Sequence, residues 1–456
     1  MAIPTGMFGL ASLAKRAGWG SSLVHVGVEE ILDREYRIER VVESRELRVV
    51  AFDLQWHAQL PDVLQAARRV KRERPDLGVV VGGITASCFH REILEHCPWV
   101  DWVIRGDAEG PLLRLLEEQS KPEPDLARVP NLTWRVAGAI SENPLTWLAT
   151  RADLDGVELD LDLLEHLARY DGAIEHPTPA GVLDPLWGNP RTFHVVVGRG
   201  CTRCCAYCAG AQPASSQSTG RTSVVLRSAS KVEAELRYLA RKGFHTLYFA
   251  FDPPGTTGWY VELFERVARG GALGAAVLEQ YDGLPTDELL HSLSRAFTER
   301  RIVLSPGSAL PELRARHALF NPENAAVEDA IRRAQGSGAA VLLYFTLFPD
   351  DTVETLSRTA AWMAELRGRY GVDLQFVTIE IEPGAAWHQD PSRYGVELLR
   401  RSFGDFLRHH LSGDPRDLGY RLRDEEAKRR ILSEVVQPLL FPLARPEGEL
   451  GAHPRA

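Results

Sequence analysis

Apolar and polar positions alternate with two different periods along the first 120 residues. Short apolar runs rich in β-branched residues end in polar or glycine-rich loops, and residues 61–74 have the period of an amphipathic helix. This alternation is typical of βαβ units that build a parallel sheet. The sequence therefore predicts an α/β domain over residues 1–120. Its predicted strands are residues 23–28, 47–54, 78–81 and 100–104.

Three of these predicted strands end in loops of the kind that contacts a ligand. In open α/β sheets, ligands bind beyond the carboxyl ends of the strands. Paired glycines after a strand are also typical of an ordinary tight turn, so the expectation depends on all three loops together. The candidate ligand-binding residues are Gln55, Trp56, Gly82, Gly83, Thr85, Gly106, Asp107 and Glu109.

A second series of strands and helices begins near residue 192. Residues 121–190 are richer in proline and acidic residues, and we interpret them as a connector that contains one hairpin. The series that follows predicts a partial (β/α)6 barrel of the TIM type over residues 191–390, and then a helical region over residues 391–456. The predicted barrel strands lie near residue 275 and at residues 192–197, 246–251, 301–304, 341–345 and 374–381.

Composition and charge exclude several classes of protein. The formal net charge of -9 gives no overall attraction for nucleic acid, which we do not expect as a partner. No apolar stretch approaches the roughly 18 residues of a membrane span, and no export signal is recognisable, so we expect no membrane segment and a cytoplasmic location. Six cysteines are too few for a disulfide scaffold, and four of them fall within eight positions. That clustering indicates a metal or redox site in a reducing compartment.

The clustered cysteines permit two different sites. Structural zinc sites separate two CxxC pairs by a dozen or more residues, whereas here the pairs adjoin. The alternative spacing, CxxxCxxC through Cys201, Cys205 and Cys208, supplies three thiolates to a [4Fe-4S] cluster and leaves the fourth iron without a protein ligand. We therefore predict an open iron–sulfur cluster on these three cysteines, with Cys204 as a spare thiol.

This motif resembles that of the radical S-adenosylmethionine (SAM) superfamily. The resemblance includes the glycine-rich segment at residues 197–200 and the aromatic Tyr207 before the last cysteine. It implies that SAM chelates the open iron and is cleaved to methionine and a 5′-deoxyadenosyl radical. It also implies that Tyr207, Asp252 and Ser305, all at strand ends or in the cysteine loop, contact SAM. A serine at the end of a strand is equally typical of an ordinary turn.

The N-terminal domain resembles the cobalamin-binding domain that precedes the barrel in one subclass of this superfamily. Residues 4–18, 80–86 and 100–109 carry the resemblance. In that subclass a strand precedes the first helix, so we expect either a sheet with one strand fewer or a misassigned start site. The DxHxxG signature of other corrinoid proteins is missing, since His57 follows Asp53 at a different spacing. The resemblance therefore implies cobalamin bound without a ligand from that histidine.

Together the two resemblances imply a cobalamin-dependent radical SAM methyltransferase. It would methylate an unactivated carbon of a small-molecule or peptide substrate and use a [4Fe-4S] cluster, SAM and cobalamin. One SAM would methylate the cobalamin and a second would yield the radical, with an electron from a donor such as flavodoxin or ferredoxin. Two alternatives stay open, namely a radical rearrangement or cyclisation without methyl transfer, and a non-catalytic iron–sulfur protein.

Overall fold

The computed structural model describes residues 5–169, 192–412 and 417–440, apart from the side chains of residues 409–412. Within these residues the strands form two large sheets and two short two-stranded ribbons. No helix in the described ranges is long and apolar enough to cross a membrane. The chain therefore has two α/β units, each with its own sheet.

The first sheet contains five strands that lie in sequence order. Strands β1, β2 and β3 are parallel, and β4 and β5 extend the sheet as an antiparallel hairpin. The sequence Gly-Val-Val-Val-Gly of β2 is almost wholly buried, as expected for a parallel strand covered by helices on both faces. The hairpin that the sequence assigned to the connector thus belongs to this sheet. The strands are β1 (Val49–Asp53), β2 (Gly78–Gly82), β3 (Trp102–Ile104), β4 (Leu132–Val136) and β5 (Ala139–Glu142).

The predicted strand at residues 23–28 is wrong. Leu23 makes one isolated bridge, to Leu164, and a helix begins at Val26. His25 caps this helix, because its Nδ1 accepts a hydrogen bond of 3.3 Å from the Val28 amide. Among the described residues no strand precedes β1. The helices of this half are Thr5–Arg16, Val26–Leu32, Ile38–Glu43, Leu60–Glu73, Ile84–Cys88, His90–His96, Glu109–Gln119 and Arg151–Gly156.

The second sheet is a curled half-barrel of six parallel strands, which confirms the predicted partial barrel. Its strands lie in the order β6, β9, β10, β11, β12, β13, and helices connect most successive strands. Phe249, Phe264 and Phe297 pack edge to face between the sheet and its helices. The strands are β6 (Thr192–His194), β9 (Thr246–Phe249), β10 (Leu273–Gln280), β11 (Phe297–Gly307), β12 (Ala340–Leu347) and β13 (Asp373–Thr378).

The segment before the cysteines is less regular than predicted. The predicted strand at residues 192–197 ends at His194, and a separate ribbon of β7 (Gly198–Arg199) and β8 (Val225–Leu226) encloses the cysteine loop. The helices of the barrel half up to residue 370 are Gln212–Thr219, Ala229–Arg241, Thr257–Arg269, Asp287–Ala296, Pro311–Arg316, Asn324–Gly336 and Val353–Tyr370.

The C-terminal region joins the two halves. Its helix Phe403–Ser412 packs against the N-terminal unit, where the rings of Phe403 and Phe406 lie 5.4 and 5.5 Å from that of Phe89. One buried apolar cluster contains side chains of both halves, so they share part of a core. The remaining elements are helix Ala386–Gln389, β14 (Glu397–Leu398), β15 (Tyr420–Arg421), helix Glu425–Ile431, the π-helical turn Leu432–Val436 and helix Gln437–Leu440.

Candidate functional site

The cysteine loop lies over the carboxyl ends of the barrel strands. It follows β7, and its Arg203 Nε lies 2.5 Å from Asp282, which follows the end of β10. The guanidinium also stacks on the ring of Phe320 at 5.6 Å. Barrel active sites are built at this end of the sheet, where loops from several strands converge. The loop is therefore in the position that the sequence predicted.

The three predicted ligands lie close enough to influence one another electrostatically. Burial raises the pKa of the Cys205 thiol to about 12, and Asp282, Cys208 and Cys201 act in the same direction. Burial also raises the pKa of Cys201 and Cys208. Such thiols ionise when a metal replaces the proton. Cys204 is exposed to solvent, unlike the other three.

This donor set fits an iron–sulfur cluster better than a single ion. Within the described ranges no three His, Cys, Asp or Glu side chains converge on one point as they do around one metal ion. In a [4Fe-4S] cluster each thiolate binds a different iron, so the thiols surround the cluster without sharing one centre. The half-buried Cys201, Cys205 and Cys208 have the spacing, the donor chemistry and the proximity for this arrangement.

The loop is held in place by residues that sequence reasoning missed. The Ala206 amide donates to the His317 carbonyl, and the Trp387 amide donates to the Ala206 carbonyl, both at 2.9 Å. The Trp387 indole N–H donates to His317 Nδ1 at 3.0 Å, and His317 Nε2 lies 2.8 Å from Asp350. His317 has no exposed surface. These residues belong to no motif, and only the tertiary structure brings them to the loop.

The predicted SAM contacts are distributed around the cysteine loop. The ring of Tyr207 packs edge to face against Trp387 at 5.7 Å. Asp252 is buried after β9, and its carboxylate accepts hydrogen bonds from the backbone amides of Tyr281 and Asp282. Burial raises the pKa of Asp252 well above its usual value. Ser305 lies within β11, where the pairing with β12 becomes irregular. Their contacts with SAM stay predictions.

A buried network of four side chains occupies the barrel interior. The carboxylate of Glu279 on β10 accepts hydrogen bonds from the hydroxyls of Tyr248 and Tyr281, the latter at 2.6 Å. Tyr344 hydrogen-bonds Tyr248, and its ring lies 5.8 Å from that of Tyr281. Burial raises the pKa of Glu279 to about 7, although both tyrosines lower it. Sequence analysis did not single out these residues, because they stand on three different strands.

In the N-terminal unit, the loops after β1 and β2 are bonded to each other. The Gln55 carbonyl accepts a hydrogen bond from the Thr85 hydroxyl at 3.1 Å, and the Leu54 amide donates to the Gly82 carbonyl at 2.7 Å. Gly83 has φ of 115°, and a Cβ there would lie 2.5 Å from the Leu54 carbonyl oxygen. The turn therefore requires glycine.

One aromatic side chain projects from these paired loops. The Trp56 side chain is 59% exposed, which is unusual for a large apolar residue. The sheet edge formed by these loops, between the close-packed glycines and this exposed ring, presents backbone polar groups and an apolar surface. Such an edge fits a flat cofactor such as a corrin, which binds across strand ends.

His57 contacts the barrel half instead of pointing to solvent. It is buried, and its Nε2 lies 3.6 Å from Glu382 and 3.9 Å from Glu380. Its ring packs against Phe406 at 5.4 Å. Burial and the neighbouring Glu380 raise the pKa of Glu382 to about 7. Glu382 also raises the pKa of Cys208, so this contact brings the β1 loop of the first unit toward the cysteine loop.

The loop after β3 has partners that the sequence did not predict. Gly106, Asp107 and Glu109 were expected to face a cofactor. The structure instead pairs both carboxylates with Arg199 of the barrel half, and Asp107 also with Arg221. The side chains of Asp107 and Glu109 thus bind protein, and a role in holding a cofactor stays a prediction.

The fold and this site define a class of protein, and comparison with known families agrees. The family described as B12 binding domain matches residues 2–116, and the radical SAM superfamily matches residues 195–363. The chain therefore carries a radical SAM domain and, ahead of it, a B12-binding domain. This confirms both resemblances that the sequence motifs indicated.

Individual relatives are similar over part of the chain. It is 29% identical over 209 residues to the hopanoid C-3 methylase of Methylococcus capsulatus, a match that covers 45% of this chain and 35% of that protein. It is 25% identical over 158 residues to the anaerobic magnesium-protoporphyrin IX monomethyl ester cyclase of Rubrivivax gelatinosus, which covers 32% and 25% respectively. The matches thus span about a third or less of these relatives.

Solved structures share the fold over most of the chain. The radical SAM methyltransferase TsrM from Kitasatospora setae, with tryptophan substrate and a SAM analogue bound, has a TM-score of 0.66 at 14% identity. The alignment covers 85% of this chain and 72% of TsrM. The cobalamin-dependent radical enzyme OxsB has a TM-score of 0.58 at 15% identity, over 80% of this chain and 50% of OxsB. At these identities the likeness shows the fold alone.

Proposed function

We propose that the protein is a cobalamin-dependent radical SAM methyltransferase that methylates an unactivated carbon. The observation that carries this proposal is the position of the B12-binding domain. Its β1 and β3 loops, through His57 and through Asp107 and Glu109, contact the barrel half beside the cysteine loop. Two cofactor sites that face each other across one interface can serve one reaction, whereas separated sites would need a large motion.

Each half would hold its own cofactor. Cys201, Cys205 and Cys208 would hold the [4Fe-4S] cluster, and the loops after β1 and β2, with Trp56 and Gly83, would hold the cobalamin. When bound, the cluster with SAM supplies a 5′-deoxyadenosyl radical, and the cobalamin supplies a transferable methyl group. The protein contributes binding, orientation and exclusion of water.

The residues around the cysteine loop would orient SAM and substrate. Tyr207 and Asp252 border the loop, and Ser305 stands on the irregular end of β11. Asp252 and Glu279 are buried carboxyls with raised pKa, and groups of this kind are common where an enzyme binds a polar reactant or moves a proton. We propose that these residues form the wall of the barrel against which SAM and substrate bind.

The remaining parts of the proposal concern organisation and partners. We propose a cobalamin-binding domain over residues 1–120, a connector over residues 121–190, a radical SAM barrel over residues 191–390 and a C-terminal helical region over residues 391–456. The substrate would be a small molecule or a peptide. The electron would come from a donor such as flavodoxin or ferredoxin, in the cytoplasm.

Isotope labelling tests the proposed reaction. Protein reconstituted without oxygen is incubated with SAM that carries a deuterated methyl group and a reductant, and mass spectrometry follows the label. We expect label in the cobalamin fraction and production of 5′-deoxyadenosine. Cys205→Ala should abolish 5′-deoxyadenosine formation, and the matched control Cys204→Ala should retain it, because Cys204 is the exposed thiol.

Two outcomes would overturn this proposal. If 5′-deoxyadenosine forms while the cobalamin fraction carries no label, the radical chemistry stands and methyl transfer does not, as in a rearrangement or cyclisation. If the reconstituted protein consumes no SAM at all, the iron–sulfur site is not catalytic. Iron content and the cobalamin absorbance spectrum, measured on the same sample, show that both cofactors were present.

A further inference from the structure

The acidic turn after β3 is bonded to the chain immediately before the first cysteine. Arg199 lies two residues before Cys201, and its guanidinium contacts three carboxylate oxygens. Its Nη1 lies 3.0 Å from Asp107 Oδ1 and 2.9 Å from Glu109 Oε2. Its Nη2 donates to Glu109 Oε1. A planar guanidinium that binds a carboxylate through two nitrogens holds it in a defined orientation.

A second arginine contacts the same turn from the other side of the cysteine loop. Arg221 follows helix Gln212–Thr219 and pairs with Asp107 Oδ2. It also donates to the Ala149 carbonyl at 2.9 Å, and the Ala149 amide donates back to Asp107 Oδ2 at 2.9 Å. Asp107 therefore links chain segments on both sides of the cysteines to the N-terminal domain.

The backbone of the turn fits closely against the barrel half. Gly106 has φ of 68°, and a Cβ there would lie 2.9 Å from the carbonyl oxygen of Thr219. The Gly106 amide also donates a 2.9 Å hydrogen bond to the hydroxyl of Ser87, which holds the turn in position. On the other side, Gly200 has φ of 85°, and a Cβ would lie 2.2 Å from the Ser223 carbonyl oxygen. A side chain at either position would clash with the facing backbone, so this close approach requires glycine at both.

Three of these four charged side chains are buried, Arg199 is partly exposed, and the two positive charges balance the two negative ones. Asp107 is 8% exposed and Glu109 is 4% exposed. Burial by itself would raise the pKa of Asp107, but Arg199 and Arg221 outweigh it and hold that pKa below its usual value. The carboxylates of Glu109 and Asp107 in turn neutralise the guanidinium of Arg199. Removal of one member of such a group leaves a buried charge without its partner, which is strongly unfavourable.

We propose that Asp107, Glu109, Arg199 and Arg221 form an interdomain latch that fixes the cobalamin-binding domain relative to the cysteine loop. The four are positioning residues, since they bind one another and not the reacting groups. The inference rests on the proposed function for its catalytic consequence. The latch sets the separation between the cobalamin edge and the site of SAM, so methyl transfer between them depends on it, whereas SAM cleavage takes place within the barrel half alone.

Glu109→Gln and a matched control test the latch directly. The substitution keeps the shape of the side chain and removes its charge. The control is Glu118→Gln on the same helix, Glu109–Gln119, because Glu118 has no exposed surface and pairs with Arg114 and Lys121 inside the N-terminal domain. Amide hydrogen exchange of the reconstituted enzyme is measured for residues 198–222. We expect exchange there to rise about tenfold in Glu109→Gln and to stay at the wild-type rate in Glu118→Gln.

Arg199→Lys provides a second variant that keeps the charge and loses the planar fork. We expect an exchange rate between those of wild type and Glu109→Gln. The latch is refuted if Glu109→Gln and Glu118→Gln leave the exchange of residues 198–222 equally unchanged, or if both raise it by the same factor. This measurement does not depend on methyl transfer, so it decides the latch even if the proposed function fails.

A kinetic ratio tests the functional consequence. The same variants are assayed for label transferred from SAM to the cobalamin fraction and for 5′-deoxyadenosine. We expect Glu109→Gln to lower the ratio of label transfer to SAM cleavage about tenfold. Glu118→Gln should change both rates together and leave the ratio as in wild type. If the wild type transfers label and Glu109→Gln has the same ratio as the wild type, the latch has no role in positioning. Absence of label transfer in the wild type would refute the proposed function instead.

Discussion

Glu279→Gln is predicted to stabilise the protein above neutral pH. Glu279 is 5% exposed, and its hydrogen-bond partner Tyr248 belongs to a buried cluster inside the barrel. One of its oxygens accepts both tyrosine hydrogen bonds, from Tyr248 and from Tyr281. The amide oxygen of a glutamine accepts the same two bonds. The substitution therefore keeps the hydrogen bonds and removes only the cost of a buried negative charge.

The magnitude follows from the pKa of the carboxyl. Burial raises the pKa of Glu279 from 4.5 to about 7. Between these values the unfolded chain loses the proton and the folded protein keeps it, so the free energy of unfolding falls as the pH rises through this window. At one pKa unit per 1.36 kcal/mol, the total is about 3 kcal/mol above pH 7 and about 1 kcal/mol at pH 5.5.

Thermal unfolding at pH 5.5 and at pH 8, followed by circular dichroism, measures this effect. Glu279→Gln should unfold at a temperature a few degrees above that of wild type at pH 5.5, and the difference should be roughly two to three times larger at pH 8. Titrating groups that do not interact with Glu279 cancel in the comparison of the two proteins. A variant that is less stable than wild type at pH 8 would refute the reasoning, because it would mean that the two tyrosines stabilise the carboxylate more than burial destabilises it.

Four further substitutions test other parts of the site. Cys205→Ser should lose most of the bound iron and Cys204→Ser should retain it, as measured by iron content per chain; equal loss would assign Cys204 a structural role. His317→Phe removes the hydrogen-bond acceptor of the Trp387 indole and one partner of Asp350. We expect the free energy of unfolding in urea to fall by about 2–3 kcal/mol, and a loss under about 0.5 kcal/mol would contradict the hydrogen bonding. Gly83→Ala should reduce cobalamin retained after gel filtration, because the added Cβ displaces the β1 loop; full retention would place the cofactor elsewhere.

The sequence by itself determined the features that depend on neighbouring residues. The spacing of Cys201, Cys205 and Cys208 limits the site to one short loop, and no distant residue changes that. The strands β2 and β3 were predictable for a similar reason, since apolar runs of their length bounded by glycine have few alternatives. The order of the two domains was predictable as well, because each domain carries short motifs that depend only on neighbouring residues.

The tertiary structure decided which charged groups meet. Asp107 and Glu109 follow a strand end, where a sequence predicts contact with a ligand, yet their partners Arg199 and Arg221 are 90 to 114 residues away. The predicted strand at residues 23–28 failed because His25, in the middle of this short segment, caps a helix that begins at Val26. The pairing of Glu279 with tyrosines on other strands likewise depends on the curl of the sheet. Local spacing specifies donors and turns, whereas the free energy of a buried charge depends on partners that only the completed fold brings within hydrogen-bond distance.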